Sequence, residues 1–236
     1  MKKIRIGPLG IGSTPRIVGS VVSNRVFARL AGLAQHEFDI AEIRLDLVGL
    51  VPGWVETCSS IEAAGMPVLL TVRSDQEGGR WEGAEKDRVA VYEESLGVVS
   101  AIDMEVRSRS FSRTAGAAHR AKCTVVGSFH DFEKTPDKRV LRRVINEGRR
   151  KGADIVKIAA MINGREDIIT LYELLRDTAG GPLCVIGMGP TAAHTRIGLP
   201  CAGSCLTYGY IDRSAAPGQL SCKVLAERLR ESGGRS

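Results

Sequence analysis

Three residues in this sequence are placed where they could do chemistry on a carbonyl compound. Lys157 sits in the run ADIVKIAA, between Ile155, Val156, Ile158 and Ala159. Alternate residues of a strand share a face, so Ile155, Lys157 and Ala159 point one way and Val156 and Ile158 the other. An ammonium turned into an apolar interior loses its hydration, which leaves a fraction as free amine near neutral pH. A free amine is what attack on a ketone or aldehyde requires. The alternative is a structural lysine, buried and ion-paired with one of the glutamates. His130, in GSFHDF, follows an apolar run in which Gly127 and Ser128 leave space, and imidazole is the natural proton carrier near neutral pH. Its candidate partner is Glu77 in TVRSDQEGG, where two following glycines let the backbone turn tightly and present a carboxylate. His36, His119 and His194 lie in helix-end or loop sequence and are expected at the surface.

Ionisable residues recur toward the C-terminal ends of other apolar runs: Glu42 and Arg44 in AEIRLD, Arg73 in LLTVR, Asp103 and Glu105 in AIDMEV. Any one of them could be only the first solvated residue of a loop. Arg44, Arg73 and Arg196 are far apart in sequence but converge if these runs close into a barrel, and guanidinium groups grip a carboxylate in a fork. Phosphate is the competing ligand. The segments MGPTAAH and APGQ lack the glycine-rich cradle and helix N-terminus that favour it.

The elements that must position these residues are about eight short apolar runs, starting near Arg16, Phe38, Pro67, Val98, Lys122, Ala153, Pro182 and Cys201. Between most of them lie helix-length segments, among them 24–35, 85–97, 136–152 and 165–181, the last two ending on glycine. Strand alternating with helix implies a parallel sheet, and about eight units in 236 residues suit a closed (β/α)8 TIM barrel, an α/β fold whose enzymes work at the C-terminal ends of the strands. A doubly wound open sheet is the structural alternative. The stretch GPTAAHTRIGLP leaves room for only a short or irregular helix before the last strand. Residues 2–12 alternate around a Gly-Pro turn and are expected to form an N-terminal β-hairpin closing the barrel bottom. With no repeat or linker, residues 1–236 are expected to form a single catalytic domain, with a frayed tail at ESGGRS.

Composition narrows the function classes. The chain is 43% hydrophobic and 25% charged with a formal charge of +6, which excludes a disordered or collagen-like chain. No run of about 18 apolar residues occurs, and the start MKKIRIGPLG lacks a secretory signal's apolar stretch, so neither membrane nor export is expected and a cytoplasmic location is. The six cysteines lie mostly in apolar segments and suit a reduced compartment. Cys201 and Cys205 form a CxxxC pair with no second pair or histidine ladder, so no metal is expected. The basic stretch from Arg142 to Lys151 has helical spacing and no aromatic cluster beside it, which argues against a nucleic-acid surface.

Taken together, EIRLD, TVRSDQEGG, SFHDFEKTP, ADIVKIAAM, the region ending in Arg196 and APGQ ending in Gln219 resemble the type I 3-dehydroquinate dehydratase family, nearly end to end. That resemblance implies a metal-free and cofactor-free lyase of the shikimate pathway on a (β/α)8 barrel, a homodimer acting on the small molecule 3-dehydroquinate. It implies catalysis by Lys157 as imine former, His130 as acid and base, and Glu77 as the group that orients His130. Arg196 and Gln219 would hold the substrate carboxylate, Glu42, Arg44 and Arg73 its ring hydroxyls, and Ser20 falls on a substrate-contacting position. Where the family often has serine, in SAPGQ, this chain reads SAAPGQ and places Ala215. The Ala-Ala-Pro-Gly composition makes that loop a candidate lid. A Schiff-base aldolase on the same barrel is the enzymatic alternative, and a basic nucleic-acid-binding protein the non-enzymatic one.

Overall fold

The computed structural model describes residues 3–12, 14–32, 37–214, 216 and 218–233. Two short strands come first, β1 (Arg5–Ile6) and β2 (Leu9–Gly10), paired antiparallel as a hairpin. Eight strands rich in β-branched and small apolar residues follow: β3 (Arg16–Val21), β4 (Ile40–Arg44), β5 (Val68–Thr71), β6 (Ala101–Glu105), β7 (Thr124–Asp131), β8 (Ile155–Met161), β9 (Leu183–Met188) and β10 (Leu206–Tyr210). Seven parallel pairings link them in the order β10-β3-β4-β5-β6-β7-β8-β9. The remaining seam is bridged by Cys205, whose N–H donates to the Leu183 carbonyl at 2.9 Å, and by Ser204, whose hydroxyl accepts from the Val185 N–H at 2.8 Å. The result is a nearly closed (β/α)8 barrel.

Helices run between the strands and cover their outer face: α1 (Asn24–Phe27), α2 (Leu45–Val48), α3 (Trp54–Ala63), α4 (Glu85–Ser95), α5 (Phe111–Arg120), α6 (Lys138–Lys151), α7 (Arg165–Asp177), α8 (Thr195–Cys201) and α9 (Cys222–Glu231). In α6 the basic stretch lies on a helix as its spacing predicts. Arg142 pairs with Asp177, Lys151 with Glu147 one turn back, and Gly152 closes the helix at φ 111°. Among the described residues no helix is long and apolar enough to cross a membrane.

The strand pleat sorts the core into an inside and an outside. Val18, Ile40, Leu69, Ala101, Val126, Ile155, Cys184 and Leu206, one from each barrel strand, share the interior cluster, while Val156 and Ile158 join the helix-facing shell. Fully burying one such aliphatic side chain contributes roughly 1.5–3 kcal/mol. Ile6 of the hairpin is completely buried in the same interior cluster, with Ile4, Leu9 and Ile11 packed on it, so the hairpin closes the bottom as expected.

Three boundaries depart from the sequence reading. The segment 165–181 is helical only to Asp177, because Thr178 turns extended, so Gly180 and Gly181 lie past the end of α7 and do not close it. The segment 24–35 does not form one helix: α1 has four residues, and a 3-10 turn at Leu30–Gly32 follows, which brings Phe27 and Leu30 to the buried side. Leu33 to Gln35, like His36, Lys2, Ala215, Pro217 and the last three residues of the tail, lie outside the described residues. The last strand starts at Leu206 rather than near Cys201, because Cys201 closes α8 and Gly203 turns the chain at φ 112°.

Candidate active site

Two residues beyond each member of the interior apolar row, the pleat returns the chain to the barrel axis. These positions are Ser20, Glu42, Thr71, Asp103, Ser128, Lys157, Ile186 and Tyr208, so six neighbouring strands, β3 to β8, each present a polar group there. Two residues further lie Arg44, Arg73, Glu105, His130, Ala159 and Met188 at the strands' C-terminal mouth. The apolar row ends and a polar tier begins within one pleat repeat.

Lys157 is buried, with 3% of its surface exposed, and its Nζ lies 2.6 Å from Asp103 Oδ2 and 4.4 Å from the ring centroid of Tyr208. The lysine is therefore ion-paired with an aspartate and not with a glutamate. Asp103 is fully buried; Arg73 Nη2 and Ser128 Oγ both donate to its Oδ1 at 2.6 Å. Burial alone would raise the Asp103 pKa, but Arg73 and Lys157 hold it far below the usual carboxylate range. Arg73 also meets Glu105 at 3.0 Å and donates to Ser128 Oγ at 2.7 Å.

His130 and Glu77 form the second unit. The Glu77 Oε2 atom accepts the His130 backbone N–H at 2.9 Å and lies 3.0 Å from Nδ1. Burial, with the neighbouring charges of Arg73 and Lys157, pushes the His130 pKa well below its ordinary value despite Asp103, so the imidazole is neutral at neutral pH. Burial raises Glu77 to about 7, with Glu105 adding to it and Arg73 opposing. Glu77 reaches this position from a 3-10 turn, Asp75–Glu77, closed by Gly78 at φ 76°. Gly79 must also lack a side chain, because a Cβ there would stand 2.0 Å from the Arg73 carbonyl oxygen.

Around these units lie the remaining candidates. Glu42 accepts from Ser20 Oγ at 2.9 Å and from Thr71 Oγ1 at 3.0 Å, and Gln219 Nε2 donates to Ser20 Oγ at 3.3 Å. Arg44 is gripped by Asp46 in a fork at 2.9 and 2.7 Å; burial would lower its pKa, but Asp46 raises it. Arg196 enters from α8, which the Thr207 hydroxyl fastens by donating to the Arg196 carbonyl at 3.0 Å, and burial lowers its guanidinium pKa to about 10. All nine site residues anticipated from sequence line one cavity of about 540 Å³, counting the part open to solvent. His119 and His194 are outside it, exposed.

Sequence reasoning assigned no site role to Asp103, Ser128, Phe132, Met188 or Tyr208. Phe132, Met188 and Tyr208 line the cavity, and the Phe132 ring stacks on His130 at 6.2 Å. The missed signal is alternation: Asp103, Ser128 and Tyr208 each lie two residues after an inward apolar residue of their own strand.

Fold and cavity together define a (β/α)8-barrel enzyme with its site at the strands' C-terminal mouth. The sequence model described as type I 3-dehydroquinase matches residues 18–236. A 3-dehydroquinate dehydratase of Methanococcoides burtonii is 34% identical, covering 96% of this chain and 98% of its own. The crystal structure of 3-dehydroquinate dehydratase from Geobacillus kaustophilus superposes with a TM-score of 0.90 at 26% identity, covering 100% of this chain and 98% of that one. The type I enzyme from Clostridium difficile, with covalently modified comenic acid, gives 0.88 at 27% identity, covering 98% of each. The chain belongs to the type I 3-dehydroquinase family.

Proposed function

We infer that this chain carries out its family's reaction, the loss of water from 3-dehydroquinate to give 3-dehydroshikimate, as a hydro-lyase of the shikimate pathway, and that it does so through an imine on Lys157. The observation that carries the reading is one cavity holding a buried lysine, a neutral imidazole and the carboxyl group that fixes that imidazole.

The substrate's ketone carbon is attacked by the Lys157 amine, and loss of the ketone oxygen as water leaves a protonated imine. Asp103 faces one positive charge before and after this step, ammonium and then iminium, so its stabilisation is retained. The iminium acidifies the neighbouring C2 proton, which neutral His130 removes; the freed electron pair runs to the imine nitrogen as an enamine. That pair then expels the C1 hydroxyl, protonated by the imidazolium just formed, and hydrolysis of the remaining imine releases product and free lysine. The water lost on imine formation is returned on hydrolysis, so the net change is one water removed. Glu77, when ionised, takes the Nδ1–H and leaves Nε2 as the working base. Arg196 and Gln219 receive the substrate carboxylate beside Ser20. An incoming anion relieves the cost of holding the Arg196 charge in a buried site. Glu42, Arg44 and Arg73 serve the ring hydroxyls, with Asp46 and Asp103 fixing the two arginines.

Borohydride reduction in the presence of 3-dehydroquinate tests the imine. A stable adduct is expected on Lys157, and an active preparation that yields none refutes it. Lys157→Ala should abolish turnover, whereas His130→Ala should still form imine yet eliminate water very slowly. By family membership we also place the enzyme in the cytoplasm, with residues 1–236 as one catalytic domain, no nucleic-acid partner and a homodimeric assembly; sedimentation giving the mass of one chain at every concentration would exclude the dimer.

A further inference from the structure

In the polar tier of the barrel each of Ser20, Glu42, Thr71, Asp103, Ser128 and Lys157 has a hydrogen-bond or ion-pair partner within the tier, Ser20 and Thr71 on Glu42, and Ser128 and Lys157 on Asp103. Tyr208, contributed to the same tier by β10, is the exception. It is 5% exposed and lines the cavity, yet its buried hydroxyl has no hydrogen-bonding partner in the protein among the described residues. A buried phenol is usually paired, because an unmade hydrogen bond costs its full desolvation. A phenylalanine would fill the same space without that cost. The ring itself has a visible contact, since the Lys157 ammonium stands over its face at 4.4 Å. The hydroxyl therefore sits on the side chain that touches the reacting nitrogen, in the wall that a ligand must meet.

We propose that Tyr208 is a further substrate-contacting residue that determines specificity: its hydroxyl donates a hydrogen bond to an oxygen carried by the substrate ring. The proposal rests on the reading of this cavity as a 3-dehydroquinate site. The phenol suits a fixed, neutral donor role. Burial, with Cys184, Asp103 and Glu42 nearby and Arg73 opposing, raises its pKa well above the ordinary value, so the proton stays in place at any working pH. It differs in this from Glu77 and His130, whose protonation changes or moves in the reaction. Discrimination follows from the geometry: an analogue lacking the matched oxygen offers the hydroxyl no partner that the protein itself does not supply, and gains nothing from it.

The test is Tyr208→Phe, which keeps the ring over Lys157 and removes only the oxygen. The variant should melt no lower than the wild type and still give the borohydride adduct on Lys157. Its KM for 3-dehydroquinate should rise about three- to tenfold, the range of one neutral hydrogen bond, with kcat within about twofold. The ratio of the two KM values should stay constant from about pH 6 to about pH 9, because the phenol does not titrate there. Among analogues each lacking one ring hydroxyl, one should bind wild type and variant equally. A KM unchanged by Tyr208→Phe, or a ratio that follows pH, overturns the proposal. Binding of the alcohol made by reducing the substrate's ketone, which can form no imine, is measured in parallel. It should weaken by the same factor in the variant, so loss of the imine reading and loss of this contact are told apart.

Discussion

Removing the charge of Asp103 tests how the lysine is held. Three donors converge on its carboxylate, each at 2.6 Å: Arg73 and Ser128 on Oδ1, and Lys157 on Oδ2. Both cations are themselves buried, so Asp103→Asn strands two positive charges away from water, with Glu105 left as the ion-pair partner of Arg73 among the described residues. Breaking a buried ion pair by removing one partner costs about 3–5 kcal/mol. In a chain of this size each kcal/mol lowers the melting temperature by about 2–4 °C, giving a loss of roughly 6–20 °C. Circular dichroism melts and urea titrations near pH 7 read both quantities. The sign of the pH dependence is fixed by the depressed folded-state pKa of Asp103. Its stabilisation is fully present above the unfolded value of about 4 and is lost as the pH falls from there toward the folded value. The gap between wild type and variant should therefore be widest near neutrality and narrow below about pH 4. Adding Lys157→Met to the variant removes one stranded cation, and the double-variant cycle should show a coupling of about 0.5–3 kcal/mol. A loss under about 1 kcal/mol for Asp103→Asn, or strict additivity with Lys157→Met, would show that Asp103 does not hold the lysine.

Two further predictions concern the reaction. Burial pushes the Glu77 pKa up to about 7, and its ionised form is the stronger acceptor for an Nδ1–H of His130, so kcat/KM should fall as the pH drops through that value. Glu77→Gln should run at a lower level with no inflection there; the same inflection in the variant would assign it to another group. If Arg196 holds the substrate carboxylate as proposed, Arg196→Ala removes a charge-assisted contact worth about 1.5–3 kcal/mol, so KM should rise roughly ten- to hundredfold. Steady-state kinetics showing less than about a threefold rise would take Arg196 out of carboxylate binding.

What the sequence revealed of this site followed from local rules. Alternation placed Lys157 inward because its neighbours Val156 and Ile158 are apolar on the other face. The glycines after Glu77 announced a tight turn, and the structure uses both, one for its positive φ and the other for its closeness to the Arg73 backbone. Short-range signals also located the hairpin and the irregular α8, which carries Pro200 within it. What was not legible depended on register between strands. Nothing in AIDMEV tells Asp103 that Arg73, 30 residues earlier, will lie at 2.6 Å, or that Lys157 will meet its other oxygen. The seam between β9 and β10 is closed in part by a serine hydroxyl, for which no spacing rule exists.

The register also explains why stability and chemistry meet in the same residues. Along each of the strands β3 to β8, an apolar side chain faces the axis and a polar one follows two residues later, so the barrel interior changes from hydrocarbon to charge over one pleat repeat. A charge at that depth persists only if its neighbours on adjacent strands answer it. Ser20, Glu42 and Thr71 form one such group, and Arg73, Asp103, Ser128 and Lys157 another. The apolar tier beneath them, plugged by Ile6, removes water from one side and strengthens every one of these contacts. Lys157 is thus held away from water and paired well enough to stay, and in the proposed reaction the aspartate that makes its burial tolerable would also face the iminium.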